Sequence, residues 1–117
     1  MSYSADIHLY IAIFHVLVIV PFFIYVGISR EKIPQWVYYL LGALALQVFV
    51  FHFYKFYGRA DYASGWVNLI HILLVAPLLA TIAYYGNQTA RRFYEMLLIL
   101  AFGALGYHSL NIYRHFA

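Results

Sequence analysis

Six histidines stand in a chain of 117 residues that has no cysteine and only 9% charged residues. Four of them, His15, His52, His71 and His108, each fall in a different apolar stretch. Imidazole is a borderline ligand that suits Zn, Cu, Fe and Ni, and it titrates near neutral pH. Four imidazoles in one layer could close a coordination shell around a transition-metal ion, at about 2 Å per bond. They could also supply axial ligands to haem b, or relay protons. The remaining residue types narrow the choice. Without cysteine there is no disulfide, thiolate metal site, iron–sulfur cluster or thiol redox chemistry. Met1 and Met96 are too few for a thioether copper relay. No Asp or Glu lies deep within an apolar stretch, which argues against a carboxylate di-iron site and against Mg or Ca. Covalent catalysis has little support, and whether the protein is an enzyme stays open. Ser109 adjoins His108, but neighbours on a helix point about 100° apart.

The elements that must position these histidines follow from composition. The chain is 66% hydrophobic and 21% aromatic, with a mean hydropathy of +0.78. Soluble domains are about 45–50% apolar and about 25% charged, and one this small could not hide so much apolar surface. A soluble globular domain and a disordered chain are both excluded, leaving an all-α integral membrane protein whose main partner is the lipid bilayer. A spanning helix needs about 20 apolar residues. Four stretches qualify: Ile7–Ile28, Trp36–Phe56, Trp66–Tyr85 and Phe93–Tyr113. Arg30 to Pro34, Gly58 to Asp61 and Gly86 to Thr89 break them, with Pro34 suited to a helix start and Thr89 to an N-cap. Strict alternation over 10-residue segments, as a β-barrel requires, is absent. The first stretch lacks a basic flank and a small-residue cleavage site, so it is expected to stay in the mature chain rather than act as a signal peptide.

An ungapped shift of 56 residues sets His15 on His71, Pro21 on Pro77 and His52 on His108. Tyr38 also meets Tyr94, and Tyr57 meets Tyr113. This predicts a single membrane domain over residues 1–117, built from repeat 1 at 5–57 and repeat 2 at 61–113. The fold is then a four-transmembrane-helix bundle of two tandem helical hairpins, with pseudo-twofold symmetry along the membrane normal. Each mid-span proline is expected to kink its helix and to deprive the carbonyl of Leu17 or Leu73 of its donor.

Counted outward from the two turns, the four histidines fall within roughly 5 Å of one height. Polar groups in a bilayer turn to the bundle interior. The expected inward stripes are His8, Ile11, His15, Val18 and Phe22; Ala45, Val48, His52 and Lys55; Asn68, His71 and Val75; and Ala101, Ala104, His108, Asn111 and His115. The reading is a four-histidine transition-metal site of structural or redox role, with Asn68 and Asn111 orienting ligands. A bis-histidine haem b electron-transfer protein is the alternative. Lys55, Arg59 and Arg114 would then meet the propionates, and small residues near Gly42 and Gly103 would admit the ring. A proton or cation channel, and histidines used only for helix packing, are the other readings.

Trp36, Tyr38, Tyr39, Tyr84 and Tyr85 read as one interfacial belt, and Tyr10, Tyr54, Tyr57, Tyr62, Trp66 and Tyr113 as the other. The net charge of +3 and pI of 9.2 come from basic residues scattered at span edges, so no nucleic-acid partner is implied. Arg30, Lys32, Arg91 and Arg92 favour a cytoplasmic position for the two tight turns, which puts both termini on the extracytoplasmic side. No GxxxG motif marks a dimer face, although a homo-oligomer is compatible with the sequence.

Overall fold

The structure is a computed structural model whose backbone is described over residues 3–58 and 65–117. Among the described residues every regular element is helical. Four helices are long and apolar enough to cross a membrane: Asp6–Lys32, Gln35–Lys55, Trp66–Gln88 and Arg91–Phe116. Each carries a large aliphatic side chain on its surface: Leu17, Leu46, Leu73 and Ile99 are each about two-thirds exposed or more. Such positions suit lipid contact, because lipid tails are as apolar as leucine.

The first helix runs over Tyr3–Phe14, widens into a π turn at His15–Ile19, and resumes as α-helix over Val20–Ser29. The third repeats this sequence of elements in Gly65–Ile70, a π turn at His71–Val75, and Ala76–Tyr85. The prolines explain the location. Pro21 and Pro77 donate no backbone hydrogen bond, and their rings press on the carbonyl four residues earlier. Opening the preceding turn relieves that pressure, and membrane helices tolerate proline through such local adjustments. The N–H of Val20 accordingly reaches back five residues to the His15 carbonyl, and that of Ala76 to the His71 carbonyl.

The π turn also moves the buried face, because it inserts an extra residue into the winding. Val18, expected beside His15 on the inward stripe, is 48% exposed. After the turn the buried positions are Val20, Phe23 and Val26 instead. A constant 3.6-residue period cannot anticipate that step.

The remaining elements also recur at the 56-residue offset. A 3₁₀ turn at Arg30–Lys32 is matched by one at Gly86–Gln88. Arg30 and Gly86 open them with φ of 54° and 55°. The next helices are Gln35–Gly58 and Arg91–Phe116. Their first turns are closed by Val37 N–H to the Pro34 carbonyl and Phe93 N–H to the Ala90 carbonyl, both at 3.0 Å. Thr89 does not cap the fourth helix as expected. Its hydroxyl donates backward, to the carbonyls of Gly86 at 2.6 Å and Ile82 at 3.2 Å. Tyr38 leaves the interfacial belt: it is 1% exposed, and its hydroxyl donates to the Arg30 carbonyl at 3.3 Å. Its counterpart Tyr94 is equally buried. Trp36, Tyr39, Tyr84 and Tyr85 do lie exposed.

The chain forms two compact units. One joins Met1–Ser29 to Tyr94–Ala117, pairing the first helix with the fourth. The other is Arg30–Phe93, which holds the second and third helices. In the first unit Gly27 permits close approach: a Cβ there would lie 2.5 Å from Leu98 Cγ and 3.2 Å from the Tyr94 carbonyl oxygen. In the second, a Cβ on Gly42 would meet the Ala83 methyl at 3.4 Å. Position 83 is the offset counterpart of 27, and 98 that of 42. The same contact is thus filled once by glycine against leucine and once by alanine against glycine.

Candidate functional site: two stacked histidine pairs

Four histidines, one from each helix, come together as two pairs, one inside each unit. His15 and His108 stack with ring centroids 4.3 Å apart and planes 24° from parallel. His52 and His71 stack at 4.0 Å and 19°. Each pair combines a π-turn histidine with one from a continuous α-helix. Rings this close lie level with one another within each pair.

The π-turn histidines are held alike. Nδ1–H of His15 donates to the Ile11 carbonyl, and that of His71 to the Val67 carbonyl, both at 2.7 Å. A carbonyl can only accept, so Nδ1 carries the proton and the neutral ring presents its ligand lone pair on Nε2. His52 reaches the same state through a side chain: its Nδ1 lies 2.8 Å from Asn68 Oδ1. His52, Asn68 and His108 are all buried, and His15 and His71 are partly so. The α-helix histidines share another feature. His52 meets Phe51 edge-on at 5.2 Å, and His108 meets Tyr107 edge-on at 5.1 Å.

Asn68 partners His52, one of the candidate ligands. Asn111 is half-exposed, one turn beyond His108. Lys55 extends its Nζ over the Phe51 ring, 5.3 Å from the centroid. Arg114 is exposed at the end of the fourth helix, and Arg59 lies outside the described residues. His8 is exposed and His115 half-exposed, and neither is part of a stacked pair. The backbone carbonyls of Ile11 and Val67 are the contributors that composition did not single out. Their signal was available, since a residue four positions earlier lies on the same helix face.

Chemically, each pair is a set of two imidazoles with little room to reorient. Proton-fixed Nδ1 atoms and ring stacking favour one tautomer and one plane. Among the described residues no group of three or more His, Cys, Asp or Glu side chains gathers for a metal ion. Comparison with protein-family models, with curated protein sequences and with solved structures returned no match.

Proposed function

We propose that this is a small multi-pass membrane protein that binds a transition-metal ion at a stacked histidine pair, His15–His108 or His52–His71. The observation that carries the reading is the shared Nδ1–H donation of His15, His52 and His71. Metal-ligating histidines characteristically donate their second nitrogen to a carbonyl or a comparable acceptor, which fixes the ligand tautomer. Nitrogen-only ligation favours Zn, Cu, Fe or Ni.

The haem b alternative is less well served. Axial nitrogens about 2 Å from iron on opposite faces hold ring centroids roughly 6 Å apart. The two members of a stacked pair stand much closer than that. The recurrence of elements at one offset supports a duplicated hairpin with a pseudo-twofold axis along the membrane normal. The basic residues at the two tight turns support an extracytoplasmic position for both termini.

Metal analysis and absorption spectroscopy of the detergent-purified chain test the reading. A bound Zn, Cu, Fe or Ni ion is expected, and His15→Ala or His71→Ala is expected to lower its occupancy. A Soret band would move the assignment to haem. Metal-free protein that takes up none of these ions would overturn it.

A further inference from the structure

We infer that the two tight turns form one binding surface for the phosphate of an anionic phospholipid headgroup, with Arg30 as its anchor. The inference is independent of the metal reading and concerns another part of the chain.

The turns Arg30–Lys32 and Gly86–Gln88 pack against one another inside one compact unit. They join helices long and apolar enough to cross a membrane, which sets the turns at its edge. Four of the seven Lys and Arg residues gather there. Arg30 and Lys32 stand in the first turn, and Arg91 and Arg92 open the helix that follows the second. Lys32, Arg91 and Arg92 are exposed, and Arg30 is half-buried. The carboxylates within four residues of these cations are Glu31 and Glu95, so the surface keeps a positive excess. Exposed Trp36, Tyr39, Tyr84 and Tyr85 belong to the same unit. Such side chains sit at headgroup level, which is the depth of lipid phosphate. The Arg92 guanidinium lies over the Phe93 ring, 4.9 Å from its centroid.

The backbone singles out Arg30. Its φ is 54°, where its counterpart at the 56-residue offset is Gly86 at 55°. Positive φ strains a residue that carries a side chain and leaves glycine unstrained. The turn itself does not need the arginine. Its closing bonds run to the Arg30 carbonyl, from the Ile33 N–H at 3.2 Å and the Tyr38 hydroxyl at 3.3 Å. Glycine would offer the same carbonyl. The second turn closes on Gly86 in that way, with the Thr89 N–H donating at 3.0 Å. An arginine standing where glycine fits with less strain is accounted for by what its guanidinium does outside the turn. Backbone strain of this kind gathers at ligand clamps. A guanidinium matches phosphate with two parallel N–H bonds. Basic residues at a membrane edge also add attraction to anionic lipid one by one.

Tryptophan quenching by brominated lipid tests this. With Trp66→Phe, Trp36 is the sole tryptophan of the full-length chain, four residues beyond Lys32. The chain is reconstituted in phosphatidylcholine nanodiscs, with phosphatidylglycerol as the anionic probe. Brominated phosphatidylglycerol is expected to quench Trp36 more than brominated phosphatidylcholine at equal mole fraction. That preference is expected to shrink as salt is raised. Arg30→Gly is expected to weaken it about fivefold, the effect of one cation at the lipid surface, while the melting temperature holds or rises. Lost folding contacts would not produce that pair of results. Lys32→Gln with Arg92→Gln is expected to weaken the preference further, and keeps the test decisive should Arg30→Gly fail to fold. Equal quenching by the two lipids overturns the inference, as does a full preference in both variants. A full preference in Arg30→Gly alone overturns Arg30 as the anchor. Inorganic phosphate that abolishes the preference at matched ionic strength would assign the surface to free phosphate and overturn the lipid assignment.

Discussion

His15 and His71, 56 residues apart, each donate Nδ1–H to the carbonyl four residues earlier at the same 2.7 Å. Each does so at the first residue of a π turn, and a proline stands two residues beyond the end of that turn. The bond, the turn and the proline form one local device, used twice.

That device gives a first prediction. Pro21→Ala restores a backbone donor and removes the ring that presses on the preceding turn. The helix is expected to return toward regular α winding, which rotates His15 relative to His108. Metal affinity is expected to fall by about tenfold, comparable to losing an orienting partner. Thermal stability in detergent is expected to hold or rise. Pro77→Ala is expected to act in the same way on His71 and His52. Paired binding and melting curves check both outcomes, and unchanged affinity in either variant would separate the proline from the site.

Packing gives a second. A methyl on Gly27 would overlap the Leu98 side chain at 2.5 Å, with the Tyr94 backbone at 3.2 Å behind it. Gly27→Ala is expected to cost about 1–3 kcal/mol, the usual penalty for overpacking. Leu98→Ala is expected to recover part of that loss in the double variant, with a coupling energy of about 0.5–3 kcal/mol. Gly42→Ala, whose new methyl meets Ala83 at 3.4 Å, is expected to cost less. A double-mutant cycle measured by reversible unfolding in mixed micelles reads all three.

Backbone geometry gives a third. Arg30 adopts φ of 54° with a side chain, where its counterpart Gly86 adopts 55° without one. Left-handed backbone costs an L-residue roughly 1–2 kcal/mol. Gly86→Ala is expected to destabilise by about 1–3 kcal/mol, because φ 55° with ψ −132° lies outside the left-handed helical well that side chains tolerate. Arg30→Gly is expected to stabilise by about 0.5 kcal/mol, the strain relief being partly offset by glycine's greater freedom when unfolded. Melting temperatures of the two variants should move in opposite directions.

Acidification gives a fourth. Imidazole binds a metal ion only in its neutral form, so protons compete with the ion for the same nitrogens. Ion release is expected as pH falls, with protons taken up in the process and affinity recovered on neutralisation. Equilibrium dialysis over a pH series checks this; affinity that rises on acidification would exclude histidine ligation.

Length, hydropathy and spacing along the chain suffice to predict four helices long and apolar enough to cross a membrane, the 56-residue recurrence and the candidate histidines. Hydropathy is additive along a chain, and span length is set by bilayer thickness, so neither depends on how helices meet. Asn68 was legible as a partner for the same reason that the histidines were: polar side chains in apolar helices need acceptors and donors. Tyr38 was misplaced because its flanking residues, Val37 and Tyr39, give no sign of which aromatic turns inward. The change of face after His15 was hidden because a π turn is the outcome of proline sterics within a packed helix, which a fixed 3.6-residue period does not contain. Which histidine stacks on which is settled by helix packing. The first helix meets the fourth and the second meets the third inside their respective units, and that choice depends on complementary surfaces such as Gly27 against Leu98 and Gly42 against Ala83. Pairing of this kind is a property of two helix faces in contact, and no single stretch of sequence encodes it.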